Sequence, residues 1–232
     1  MLPHNTHVLA DAEAVAAQAA RLIAAAAGEA IRRHRVFRLV LAGGSTPQRA
    51  YQLLAEMAQD WAAWEIFWGD ERCLPIEHPE RNSRMAHDAW LAHVAIPEHQ
   101  IHRIPAELGA RAAAAAYAET LRDKLPFDLV VLGMGEDGHT ASLFPGLGSA
   151  AGALAIAVHD APKAPAARVS LSAAALAACL GQLVLVTGSG KAAALAAWRA
   201  GADLPIARAV RADATLLLDE AAARGQEQAG QV

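Results

Sequence analysis

The sequence predicts an α/β fold: a mostly parallel sheet covered by helices on both faces. Three observations predict it. Short, continuously apolar segments recur along the 232 residues, the pattern of strands buried on both faces. Alanine-rich, helix-compatible stretches lie between them, so the two kinds of element alternate. Several apolar segments end in glycine-containing polar turns, where open α/β sheets hold their ligands. The length suits one such domain with a sizeable core, and no linker divides it, so residues 1–232 are read as a single domain.

The elements follow in order. Ala12–Arg33 is a long alanine-rich helix, and Val36–Ala42 (VFRLVLA) a buried strand. The turn GGSTP leads into a helix at Pro47–Met57. Proline suits its first position, and Ser45 or Thr46 suits the cap just before it. Glu65–Trp68 (EIFW) is a strand, followed by the charged turn GDERC. Ser83–His93 and Ala110–Lys124 are helices. Phe127–Leu132 (FDLVVL) is the strand before GMGEDGH, and His139–Phe144 has room for little more than one helical turn. Strands follow at Leu154–Val158 and Arg168–Leu171, with Pro162 and Pro165 marking the loop between them. Helix Ala173–Cys179, strand Leu183–Val186, the turn TGSGK, helix Lys191–Arg199 and strand Ala214–Leu218 complete the chain. Alanine blurs the helical periodicity, so the helix faces are poorly resolved.

Composition sets the limits. Hydrophobic residues make up 54% of the chain, which fits a packed core and not a disordered segment. Charged or polar side chains interrupt every apolar run, so no membrane span is expected, and MLPHNTHVLADAE lacks the form of a signal peptide. Cys73 and Cys179 make neither a disulfide framework nor zinc spacing, which suits a reduced, cytoplasmic protein. The net charge of −4, with no basic stripe, argues against nucleic acid as a partner. An anionic ligand would need a local cationic site. Monomer or small homo-oligomer is the expected assembly.

Four strand ends carry the chemistry. Gly133, Gly135 and Gly138 spell G-x-G-x-x-G, but Pro145, Gly146 and Gly148 follow too soon for the long helix a dinucleotide needs. The better reading is a tight, positive-φ turn that presents His139, with Asp137 placed to orient the imidazole. Gly43, Gly44 and Ser45 open a helix whose free N–H groups would make an anion cradle. TGSGK lacks the P-loop's first glycine (Leu185 stands there) and its hydroxyl (Ala192), so Lys191 suits a phosphate monoester and not a nucleoside triphosphate. GDERC gathers Asp70, Glu71 and Arg72; Arg72 is a fork for phosphate or carboxylate. No base is spelled beside Cys73, so it is not read as a nucleophile.

Ser45, Ser149 and Ser189 all lack the G-x-S-x-G elbow. The histidines at 78, 87, 93, 99 and 102 have no metal-ligand spacing and are read as surface decoration around Pro97. Together the four turns describe a small phosphorylated substrate handled by acid–base chemistry, with no metal and no cofactor.

LAGGSTPQRAY, FWGDERCLP, RNSRMA, FDLVVLGMGEDGHTASLFPG, ARVSLS and VTGSGKAAAL, in this order, resemble the 6-phosphogluconolactonase family over nearly the whole chain. The resemblance implies a Rossmann-like sheet shared with glucosamine-6-phosphate deaminases. It implies hydrolysis of 6-phospho-D-glucono-1,5-lactone to 6-phosphogluconate in the oxidative pentose phosphate pathway. It assigns His139 as general base with Asp137 as its partner. It places Gly43, Gly44, Ser45, Asp70, Arg72, Asn82, Arg168 and Lys191 around the substrate. Arg168 opens its strand, so its side chain could lie at the far end of the sheet, and Asn82 could equally cap the helix that follows.

Two other readings stay open. Deaminases of this fold typically read H-I-A-F-N-E-P and D-E-Y, where this chain has Phe144 before Pro145 and Arg72 after Glu71; both departures favour the lactonase. Non-catalytic sugar-phosphate domains of transcription regulators carry a helix-turn-helix module, for which this sequence offers no spare N-terminal segment.

Overall fold

The structure, a computed structural model, describes residues 1–147 and 152–224; Gly148 and Ser149 lie outside the described residues. Its elements in chain order are β1 (Asn5–Leu9), α1 (Ala12–His34), β2 (Phe37–Leu41), α2 (Ser45–Ala55), β3 (Trp64–Trp68), β4 (Asp70–Arg72), α3 (Asn82–Ala89), α4 (Ala110–Leu121) and β5 (Phe127–Gly133). They continue with β6 (Ala155–Val158), β7 (Arg168–Leu171), α5 (Ala173–Ala177), β8 (Cys179–Val186), α6 (Ala192–Arg199), α7 (Pro205–Ala209), β9 (Thr215–Asp219) and α8 (Glu220–Ala223).

Six strands form an all-parallel sheet in the order β1-β9-β8-β5-β2-β3. Residues 127–132 of β5 are all buried, as a strand covered on both faces requires. The chain steps outward from β2 to β3 and then returns to place β5 on the other side of β2. The order therefore reverses between β2 and β5, and the crevice at their carboxyl ends is where such sheets take ligands.

A second sheet, β4-β7-β6, is three-stranded and antiparallel. Gly69 joins the two sheets: its N–H donates to Leu41 of β2 at 2.9 Å, and its carbonyl accepts from Leu171 of β7 at 2.7 Å. Buried residues of both sheets belong to one apolar cluster.

α1 begins at Asp11, whose carboxylate accepts from Ala14 N–H at 2.8 Å, and stops at Arg35, which turns left-handed (φ 70°). By length and composition α1 is apolar enough to cross a membrane, which the sequence reading did not expect. Here its stripe of Val15, Ala16, Ala19, Ala20, Ile23, Ala27 and Ala30 is buried in the core.

Two buried tyrosines finish the strands beside the crevice. Tyr51 Oη accepts from Ala42 N–H at 2.9 Å and donates to Ala42 O at 3.1 Å, just past β2. Tyr117 Oη does the same for Trp68, at 2.9 and 3.2 Å, at the end of β3.

The structure corrects several expected elements. β1 is an edge strand whose side chains are mostly exposed, so it lacks the apolar run by which the others are recognised. The segments at 154–158 and 168–171 pair antiparallel with each other, and the second also with β4, outside the parallel sheet; apolar runs do not reveal their partners. Cys179 begins β8 and does not end a helix. The helix expected over Ser83–His93 stops at Ala89, where Trp90 leaves helical geometry. Residues 139–144 form a tight turn and no helix, closed by Leu143 N–H to Thr140 O at 2.9 Å. His102 is not surface decoration: it is largely buried and stacks on Phe67 at 4.6 Å.

Candidate active site

A cavity of about 440 Å³ opens at the carboxyl ends of β2 and β5, where the strand order reverses. Gly43, Gly44, Asp70, Arg72, Asn82, His139, Arg168 and Lys191 all line it. Asp137 and Ser45 do not. Asp137 stands behind His139, and Ser45 is exposed in the first turn of α2. The helix begins one residue earlier than a Ser45 cap requires, with Gly44 (φ 108°) in the capping position, which a side chain would strain.

The imidazole is held from two sides. His139 Nδ1 lies 2.5 Å from Asp137 Oδ1, and the same oxygen accepts the His139 backbone N–H at 3.1 Å. Burial pushes the Asp137 carboxyl up, but the bonds from the His139 ring and backbone outweigh it and hold the carboxyl below its ordinary value. An ionised carboxylate accepts only, so Nδ1 carries the proton and Nε2 is the basic nitrogen. Phe144 packs against the ring with centroids 4.7 Å apart.

The glycines of this turn serve different ends. Gly138 alone of the three takes positive φ (78°). Gly135 makes room instead: a Cβ there would lie 1.9 Å from His139 Nδ1. Ala141, also lining the cavity, adopts φ 48° without being glycine, a local strain at the tight turn.

The opposite wall is cationic. Arg72 and Arg168 face each other directly across the β4/β7 ladder. Like charges so placed repel, and an anion between them relieves the repulsion. Arg168 donates to the carbonyls of Pro165, Lys163 and Ala164 at 3.1, 3.0 and 3.2 Å, and its guanidinium sits 5.6 Å from the Phe144 ring centre. Because β7 runs antiparallel to β4, the start of its strand is at the cavity and not at the far end. Arg72 donates to Glu80 O at 2.6 Å, and its buried Nε has no partner among the described residues.

Lys191 ends a 3₁₀ turn that follows Gly188 (φ 91°). That loop hangs on Asp219, whose two oxygens accept Gly188 N–H at 3.0 and 2.9 Å. Thr187 and Thr46 share a 2.7 Å hydroxyl bond that ties the loop to α2.

Asn82 and Asp70 form a polar corner. Asn82 Nδ2 donates to Asp70 O and Asp70 Oδ1, both at 3.0 Å, and Ser142 Oγ donates to Asp70 Oδ2 at 2.6 Å. Burial holds the Asp70 carboxyl above its ordinary value. The Ser142 bond and the charges of Arg168 and Arg72 oppose that shift, while Glu71 adds to it. A Cβ on Gly43 would meet Asn82 Oδ1 at 2.2 Å, so glycine is required for this approach. Asn82 is thus both the first residue of α3 and a cavity residue.

Sequence reasoning missed Lys163, a cavity-lining cation in the loop before β7, and Ser142, whose partner lies 72 residues away. Proline-flanked Lys163 carried a weak signal; Ser142 carried none. Burial pushes the Cys73 thiol up, which leaves it a poor nucleophile. Among the described residues, no group of three or more His, Cys, Asp or Glu is arranged to hold a metal.

Comparison with known proteins adds three findings. A family model described as glucosamine-6-phosphate isomerases/6-phosphogluconolactonase matches residues 10–218. The 6-phosphogluconolactonase of Mycobacterium tuberculosis is 37% identical over 239 aligned positions, covering 94% of this chain and 97% of that protein. The structure of the Trypanosoma brucei 6-phosphogluconolactonase superposes with a TM-score of 0.86 at 25% identity, covering 97% of this chain and all (100%) of that one. A monomeric glucosamine-6-phosphate deaminase, 19% identical with a TM-score of 0.83, shares the fold.

Proposed function

The chain belongs to the glucosamine-6-phosphate isomerase/6-phosphogluconolactonase family, and from that premise we propose that it hydrolyses 6-phospho-D-glucono-1,5-lactone to 6-phospho-D-gluconate, the step expected in the oxidative pentose phosphate pathway. One observation carries the reading: the Asp137-held imidazole of His139 opens into the same cavity as the opposed pair Arg72 and Arg168. A basic nitrogen and a phosphate clamp sharing one cavity suit a phosphorylated ester.

In this reading, the phosphate is held by Arg72, Arg168 and Lys191, with Lys163 beside them. Asp70 and Asn82 face the sugar hydroxyls. His139 Nε2 takes a proton from a water molecule as its oxygen attacks the lactone carbonyl. The N–H groups around Gly43 and Gly44 are offered to the oxyanion. When the tetrahedral adduct collapses, the ring C–O bond breaks. The imidazolium returns its proton to the leaving ring oxygen, and the carboxylic acid ionises in water. A positioned base of this kind contributes roughly 10²–10⁴-fold.

Phe144 supports the lactonase over the deaminase. By the motif resemblance it stands just before the proline, where deaminases carry a glutamate, and a phenyl ring cannot carry a proton. Ester hydrolysis needs only one proton carrier.

The test is acid release from freshly prepared lactone, scored against the spontaneous rate. Wild-type protein should exceed that rate. His139→Ala should lower kcat by about 10²-fold or more with KM little changed. Wild-type turnover in the alanine variant, or ammonia release from glucosamine 6-phosphate in place of lactone hydrolysis, refutes the reading. The acid–base account is metal-independent, so activity lost on exhaustive chelation and restored by metal also refutes it.

A further inference from the structure

Glu71 lies in the middle of β4, between two cavity residues, yet is itself fully buried (0% exposed) and does not line the cavity. Strand alternation explains this: Asp70 and Arg72 face the cavity, and Glu71 points the other way. Three charged residues in a row would ordinarily mark a solvated corner. The Glu71 side chain is instead almost wholly engaged with backbone. Its Oε1 accepts from Arg72 N–H and Asn82 N–H, both at 2.8 Å. Its Oε2 accepts from Ser83 N–H at 2.8 Å and faces Arg81 Nε at 3.5 Å.

We propose that Glu71 is the positioning residue of the phosphate-binding wall, a buried carboxylate that fixes Arg72 and Asn82 relative to each other from behind the cavity. α3 has no side-chain cap of its own at Arg81. Glu71 caps it from eleven residues away in sequence, at the helix end where negative charge is favoured. Arg81 balances the charge and is anchored in turn, donating to Glu107 Oε2 at 2.8 Å and to the carbonyls of Ile104 (2.8 Å) and Leu74 (3.3 Å).

The consequence reaches the cavity by a short path. Glu71 sets the Asn82 backbone, and the Asn82 side chain then meets Asp70 and the backbone at Gly43. The same oxygen sets the Arg72 backbone at the point where the guanidinium turns toward Arg168. A buried ion pair is a poor source of net stability, and a fixed geometry is what this one supplies.

The inference rests on the lactonase reading for its substrate, and its test separates the two. Glu71→Gln keeps length and shape, but its amide can accept on one side only. Turned to Arg72 and Asn82, it sets N–H against N–H at Ser83. In the folded variant, KM for the lactone should rise about tenfold or more while kcat stays within about threefold. The Kd for inorganic phosphate, measured by calorimetry, should weaken in step.

In an Arg72→Ala, Asn82→Ala background, Glu71→Gln should change neither quantity further, since the residues through which it acts are gone. If Glu71→Gln does not fold, Glu71→Met with Arg81→Met removes the Glu71 bonds together with the buried counter-charge, leaving only the part-exposed Glu107 carboxylate without its arginine, and the same readouts apply. Unchanged KM and phosphate affinity in a folded variant overturn the proposal. So does an equal loss in the Arg72→Ala, Asn82→Ala background, or a fall in kcat alone. A wild type that binds phosphate but fails to hydrolyse lactone sinks the lactonase reading and leaves the phosphate arm of this test intact.

Discussion

Asp137→Asn is the sharpest probe of the proposed base. In many carboxylate–imidazole pairs this change is ambiguous, because the amide can turn its NH₂ toward the ring and force the wrong tautomer. Here the geometry removes the ambiguity. Asp137 Oδ1 accepts the His139 backbone N–H at 3.1 Å as well as the ring at 2.5 Å. That backbone N–H is a fixed donor, so the amide must present its oxygen there, and the same oxygen then keeps the proton on Nδ1. What is lost is the charge.

A hydrogen bond to a charged group contributes about 1.5–3 kcal/mol, against about 1 for a neutral one. The Asp137 side chain is 39% exposed, so solvent screens part of the difference. The difference left, about 0.5–1.5 kcal/mol, corresponds to about 2–12-fold in kcat, with KM nearly unchanged. The assay is steady-state acid release, with the spontaneous rate subtracted. A loss near 10⁴-fold would mean that the amide has flipped or that the carboxylate itself reacts. Full turnover would mean that Asp137 does not orient the base.

Three further outcomes follow from the same geometry. Asp70→Asn should stabilise the fold at neutral pH while lowering activity. The folded carboxyl sits above its ordinary value of 3.8, so its charged form is disfavoured in the fold and the penalty grows as pH rises through that range. The amide can keep the Asn82 and Ser142 contacts, so the Tm gain should be absent below about pH 3.8 and grow as pH rises above it, and a uniform gain across pH would contradict this account. Lys191→Ala should raise KM about tenfold with kcat within about threefold, as loss of one charged contact to phosphate implies; an unchanged KM removes it from the clamp. Tyr51→Phe strands the N–H and carbonyl of Ala42 and should destabilise by about 2 kcal/mol in urea titrations followed by tryptophan fluorescence, whereas a loss under about 0.5 kcal/mol would show that water replaces the hydroxyl.

The strand ends were legible because topology does the gathering. Once FDLVVL and VFRLVLA are read as parallel buried strands, their glycine turns must emerge on one edge of the sheet, and the reversal of strand order puts those two turns side by side. His139, Gly43, Gly44 and Lys191 needed no finer geometry than that. β1 was illegible for the converse reason: half-exposed at the sheet edge, with Val8 53% exposed, it lacks the apolar run that marks its neighbours. The antiparallel pairing that sets Arg168 opposite Arg72 was hidden because register between distant short strands leaves no local trace.

The deeper gap lies in the groups that hold the site in place. Glu71, Asp219, Tyr51 and Tyr117 all bind backbone atoms of the segments that surround the cavity. A side chain paired with another side chain leaves two marks in a sequence. One paired with a peptide group leaves only its own, since every residue but proline offers the same N–H. Reactive residues are therefore read from type and spacing, while the residues that aim them look like stray charges or core aromatics. A charged residue between two others that face a ligand, as in Asp70-Glu71-Arg72, is a place to look: strand alternation turns the middle one inward, and a buried carboxylate there must find donors, which the start of a neighbouring helix supplies.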